Sequence, residues 1–175
     1  AEPHLPYERP PLSKEVFQAR PDYKFPYIRP QEYYEEQNIE LRLGVAAASI
    51  DAAVKTINLV DGETLAYDKL LLTTGGSVRK LAIPGAETAG VHYLRTLEDS
   101  AAIESALSDG KNVVVIGGGF IGLEVAASAR QRGGNVSVVD IADRRRGRGG
   151  PPAGSGLFLA RHRSKGLGVR LTAGV

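Results

Sequence analysis

Gly117-Gly118-Gly119-Phe120-Ile121-Gly122 has the spacing GxGxxG, directly after the apolar run Val113-Val114-Val115-Ile116. An apolar segment follows to about Gln131, Gly133-Gly134 stops it, and a second apolar run from Val136 ends in Asp140. A glycine loop between a strand and a helix, within a βαβ unit of about thirty residues and with an acid about twenty positions on, suits a dinucleotide diphosphate. Gly117 permits the tight turn. Gly119 removes a Cβ from the path of the diphosphate, and Gly122 lets the helix approach the strand. The opening amides of the helix offer N–H groups and positive partial charge to an anion. Asp140 can accept hydrogen bonds from ribose hydroxyls and would repel a 2′-phosphate, which favours NADH over NADPH. The arginines between positions 144 and 148 weigh the other way, as possible 2′-phosphate ligands. Glu124, two positions beyond the loop, reads either as a helix-dipole partner or as a site residue.

The elements that must position these groups follow from periodicity. Residues 3–14 are rich in proline, so an extended loop is predicted, with Ser13 capping a short helix from Lys14. Residues 21–30 read as irregular and residues 30–37 as a helix. Residues 39–43 alternate apolar and polar side chains and predict a strand, as do residues 45–50 and 55–59. Asp61-Gly62 predicts a hairpin returning through residues 64–67. Leu70-Leu71-Leu72 is a continuous apolar run, as expected of a strand buried on both faces, and residues 113–116 read as another buried strand. Pro84-Gly85 marks a turn. A helix is predicted from Leu97 to about Leu107, closed by Asp109-Gly110, and a strand over residues 136–140. Residues 144–156 are compositionally odd, and residues 144–152 cannot build a core. A helix over residues 157–165 and a strand over residues 169–171 are predicted beyond them. No internal repeat is evident.

Composition narrows the function classes. The 175 residues carry a net charge of +2 and only 6% aromatics, with no basic stripe interleaved with aromatics, so no nucleic-acid partner is expected. There is no cysteine, which excludes a disulfide scaffold, a thiolate metal site and a thiol redox pair within these residues. No apolar run of about 18 residues predicts a membrane span, and the polar N-terminus does not read as a signal peptide. Methionine is absent even at position 1, so the chain reads as less than a complete translation product.

Taken in order, PYERPPLSK, a strand meander ending in YDKLLLTTGG, YLRTLED and VVVIGGGFIGLEVAASA closely resemble the FAD-dependent, NADH-linked ferredoxin and rubredoxin reductases of the putidaredoxin reductase type. The resemblance covers nearly all of the chain. It implies an α/β, Rossmann-like FAD/NAD(P)-binding fold. A partial FAD-binding unit with a β-meander would occupy residues 1–78, and an NAD-binding βαβ unit, truncated at its C-terminus, residues 79–175. Family members also carry an earlier glycine loop for FAD, a later flavin-contacting aspartate motif and a C-terminal domain, and none of these motifs is found here.

The resemblance further implies site residues. Lys14 matches the lysine beside the flavin ring, and Glu124 the glutamate that pairs with it near the nicotinamide; these are the candidate catalytic pair. Glu2 matches the carboxylate on the FAD ribose and Ala47 the backbone contact on the adenine side. Thr74 and Gly75 match a motif passing close to the flavin, and Arg79 and Arg95 match arginines near the flavin and the phosphates. Gly117, Gly119, Phe120, Ile121, Gly122 and Asp140 form the NAD loop. FAD and NAD are the implied cofactors, a ferredoxin or rubredoxin the implied acceptor, no metal is expected, and a cytoplasmic location follows. Related disulfide reductases place a cysteine pair just before LSK or before the NAD motif. Neither position holds one here, so electrons must leave for an external acceptor or oxygen. An inactive nucleotide-binding fragment and a same-fold NADH oxidase are the alternatives. Arg145, Arg146, Gly149, Gly150 and Gly154 stand where the family typically has Leu, Met and Val, a pattern expected of sequence error or decay.

Overall fold

The computed structural model describes residues 1–16, 25–107, 110–140 and 168–171. The chain divides into two compact units, Ala1–Glu8 with Pro26–Ser77, and Arg9–Phe25 with Val78–Val175.

In the first unit a short helix, α1 (Gln31–Glu36), precedes a three-stranded antiparallel meander of β1 (Ala47–Asp51), β2 (Thr56–Leu59) and β3 (Thr64–Ala66). Ile57 of β2 stands opposite Ile50 and Leu65, so like residues meet across the ladder. The hairpin forms where Asp61-Gly62 predicts it: Gly62 has φ +93°, its amide donates to Leu59 O at 3.1 Å, and the Asp61 carboxylate accepts from the Glu63 amide at 3.1 Å. A single antiparallel bridge joins Tyr7 to Tyr27.

Two predicted strands of this unit do not form. Residues 39–43 are irregular despite their alternation, and residues 70–72 form no ladder, with Leu71 82% and Leu72 62% exposed. A strand needs a neighbouring edge for its backbone groups, and neither segment pairs with an edge of the described meander β1-β2-β3.

The second unit contains a 3₁₀ turn (Pro10–Ser13), α2 (Leu97–Ala106), β4 (Asn112–Ile116), α3 (Phe120–Gln131), β5 (Asn135–Asp140) and β6 (Gly168–Leu171). The strands form a parallel sheet in the order β4-β5-β6, with Val115 level with Val138. α3 crosses between β4 and β5. Its Ala126 and Ala129 pack on Val136 and Val138, flanked by Leu107, Val113 and Val115. The small alanine side chains let the helix axis lie close to the strands. β4 is buried on that face only: Val114 and Ile116 alternate to the other face and are 63% and 47% exposed, so the reading of a strand buried all round is corrected.

α2 begins with a capping box. The Asp99 amide donates to Thr96 Oγ1 at 3.2 Å, and the Thr96 amide donates back to Asp99 Oδ2 at 2.9 Å. The proline-rich segment is also corrected. Pro10 and Pro11 preset φ for a 3₁₀ turn instead of an extended loop. Ser13 is the last residue of that turn, and residues 14–16 continue as a turn, so Ser13 caps no helix there. The helix predicted over residues 157–165, the arginine-rich segment from residue 144 and residues 17–24 lie outside the described residues. No described helix is long and apolar enough to cross a membrane.

Candidate functional site

The glycine loop is built by the joint of β4 and α3. Gly117 adopts φ +112°, which only glycine takes without strain, and its amide ties the loop to β5 through Val139 O at 2.8 Å. A Cβ on Gly122 would lie 1.9 Å from Gly117 O, so the helix can sit this close to the loop only without one. Gly119 is the N-cap of α3, and nothing lies within 4 Å of the place its Cβ would take. Phe120 and Ile121, exposed at the start of α3, follow it.

Asp140, at the end of β5, reaches back to the loop and accepts the Gly118 amide on Oδ2 at 2.5 Å. A Cβ on Gly118 would come within 2.8 Å of that oxygen. An anion arriving here would therefore meet Gly119 and the opening turn of α3, ahead of the first helical bond from Leu123 N to Gly119 O at 3.0 Å. The required glycine conformation, the forced contact at Gly122 and the clearance at Gly119 fit a dinucleotide diphosphate.

A second cluster joins the 3₁₀ turn to α3. Lys14 Nζ lies 3.1 Å from Glu124 Oε2, and Ser13 Oγ donates to the same oxygen at 2.6 Å. Lys14 Nζ also reaches Pro10 O at 3.3 Å. The turn is held from both helices: Ser100 Oγ of α2 donates to Leu12 O at 2.8 Å, and Ser128 Oγ of α3 donates to Ser13 O at 3.2 Å. The Arg9 guanidinium donates to Arg95 O at 2.5 Å. The structure thus brings together Lys14 and Glu124, as well as the glycine loop and Asp140. Sequence reasoning gave no site role to Ser13, Ser100 or Ser128, because nothing in their spacing distinguishes them from ordinary loop or helix serines.

The remaining site residues are placed as follows. Arg95 is half-buried, with its amide donating to Asp99 Oδ2 at 2.8 Å, while Arg79 is exposed in an irregular segment. In the first unit, Glu2 accepts a hydrogen bond from the Tyr7 hydroxyl, and its own carbonyl accepts the Gly44 amide at 2.9 Å. Ala47 opens β1 opposite Leu59, beside an irregularity in the register. Thr74 and Gly75 are exposed, and Gly75 adopts φ +69°. Among the described residues no group of three or more His, Asp or Glu side chains could hold a metal ion.

A parallel sheet, a crossing helix and a glycine loop closed by a strand-end carboxylate define a Rossmann-like nucleotide-binding fold. The chain matches the pyridine nucleotide-disulphide oxidoreductase family over residues 1–175 and belongs to it. It is similar to rhodocoxin reductase of Rhodococcus erythropolis, with 41% identity over 174 residues, covering 99% of this chain and 41% of that protein. It is also similar to the crystal structure of a ferredoxin reductase from Rhodopseudomonas palustris, with a TM-score of 0.92 and 40% identity, over 98% of this chain and 42% of that one. The covalent putidaredoxin reductase–putidaredoxin complex matches with a TM-score of 0.90 and 37% identity, over 99% of this chain and 42% of that one. The chain therefore spans about two-fifths of the length of these proteins, 41% to 42%.

Proposed function

We propose that this chain forms the NADH-binding unit and part of the FAD-binding unit of a flavoprotein reductase that delivers electrons to a ferredoxin or rubredoxin in the cytoplasm. Residues 1–78 serve FAD and residues 79–175 serve NADH. The observation that carries this reading is the glycine loop with Asp140 at its mouth, accepting the Gly118 amide at 2.5 Å. When bound, NADH supplies a hydride to FAD, from which electrons leave singly.

The chain's own residues bind and orient. Gly117 and Gly119 admit the diphosphate to the opening turn of α3, with Phe120, Ile121 and Gly122 completing the loop. Asp140 accepts from the adenosine ribose and selects against a 2′-phosphate. Lys14 would stand beside the flavin ring, where a cation would stabilise negative charge on the reduced form, and Glu124 partners it. Glu2, Ala47, Thr74, Gly75, Arg79 and Arg95 hold the rest of FAD. With no cysteine pair before Leu12-Ser13-Lys14 or before the glycine loop, where related disulfide reductases carry theirs, the output is assigned to an external one-electron acceptor. The reductase names of the relatives support the same direction.

The test is anaerobic stopped-flow with the intact protein. NADH should bleach the flavin band, and added ferredoxin or rubredoxin should restore it. No bleaching by NADH, or reoxidation by oxygen alone, refutes the proposal.

A further inference from the structure

We infer that Ser13 is a positioning residue for Glu124: its buried hydroxyl, more than the Lys14 ammonium, fixes the carboxylate. The inference rests on the reading of Lys14 and Glu124 as the pair beside the bound cofactors. Both partners meet one oxygen, Oε2, with Ser13 Oγ at 2.6 Å and Lys14 Nζ at 3.1 Å. They differ in surroundings. Ser13 is 4% exposed, whereas the Lys14 side chain is 41% exposed. An ion pair in that much solvent is screened, and it costs the entropy of holding a long side chain in one geometry. A short hydroxyl-to-carboxylate bond from a buried donor on a short side chain is stronger and directional.

Ser13 is itself held in place. Its carbonyl accepts from Ser128 Oγ at 3.2 Å, and Ser128 lies one turn beyond Glu124 on the same face of α3. The hydroxyl and the carbonyl of Ser13 therefore grip α3 at two points. The preceding carbonyl, Leu12 O, is fixed from α2 by the buried Ser100 hydroxyl at 2.8 Å. This assigns two jobs to two partners. Lys14, which also reaches Pro10 O at 3.3 Å, can exchange partners as ligands arrive, while Ser13 keeps Glu124 where it is.

The first readout is structural and needs no turnover. In a crystal structure of the intact Lys14→Ala protein, Glu124 should remain within hydrogen-bond distance of Ser13 Oγ; a carboxylate swung away from Ser13 overturns the inference. The second is calorimetric binding of NAD⁺ to the intact protein. Ser13→Ala should weaken binding about tenfold, the scale of one hydrogen bond to a charged group, and Ser13→Thr should restore most of it. Unchanged affinity in Ser13→Ala, or equal loss in both variants, also overturns it. Failure of the wild-type protein to bind NAD⁺ would instead strike the proposed function, while the Lys14→Ala structure would still report on Ser13.

Discussion

Asp140 Oδ2 accepts the amide hydrogen of Gly118 at 2.5 Å, so the carboxylate at the end of β5 and the loop at the end of β4 form one unit. A side chain beyond hydrogen would collide at position 118, where a Cβ falls 2.8 Å from the same oxygen. The carboxylate proposed to grip the ribose is thus oriented in advance by the loop proposed to take the diphosphate.

Asp140→Asn keeps an acceptor for the Gly118 amide and removes the charge. The expected outcome is weaker use of NADH and a rise of about tenfold or more in the NADPH-to-NADH ratio of kcat/KM, the scale of a charge-assisted hydrogen bond. Steady-state kinetics of the intact protein with both nucleotides checks this. An unchanged ratio removes Asp140 from nucleotide selection.

Gly122→Ala places a Cβ 1.9 Å from Gly117 O, a clash with backbone that no rotamer relieves. Destabilisation of about 3 kcal/mol, at the upper end for overpacking, is expected. Urea unfolding measures it. A loss below about 0.5 kcal/mol would show that the loop yields easily.

Thr96→Ala removes one half of the capping box of α2 and should cost about 1 kcal/mol. Ser100→Ala leaves Leu12 O without the hydroxyl that donates to it at 2.8 Å, and should cost about 1–3 kcal/mol. The same unfolding measurement ranks them, with Ser100→Ala expected to be at least as costly.

Some of this architecture is legible in the chain, and the exceptions have physical causes. α3 ends at Gln131, where the Gly133-Gly134 stop places it, and the meander follows its hairpin signal, because these features depend on local chemistry. Residues 39–43 and 70–72 carry strand-like patterns, yet a strand also needs a partner edge, which a pattern within one segment cannot report. Prolines at positions 10 and 11 read as extended but start a 3₁₀ turn, since their fixed φ serves both conformations. Asp140 at the glycine loop follows from spacing. Lys14 beside Glu124 came from resemblance alone, and the serines that hold the turn acquire their roles from tertiary neighbours.

Lys14→Ala should change stability by less than about 1 kcal/mol, because the ion pair with Glu124 is solvent-exposed on the lysine side. Flavin reduction by NADH should slow by about tenfold or more, as expected when a cation aimed at developing negative charge is lost. Unfolding and stopped-flow traces of the same variant separate the two effects. A large stability loss with an unchanged rate would make Lys14 structural.

The most direct measurement is calorimetric titration of NAD⁺, which cannot reduce the flavin, into the intact protein, wild type against Gly119→Val. Position 119 has nothing within 4 Å of a Cβ, so the valine meets no clash there, and as a poorer N-cap for α3 it should cost only about 1 kcal/mol of stability while standing where the diphosphate is proposed to pass. One NAD⁺ per chain is expected in the wild type, with affinity at least about tenfold weaker in the variant, the worth of a charged hydrogen bond. Equal affinity in both proteins would contradict the assignment of this loop as the dinucleotide site.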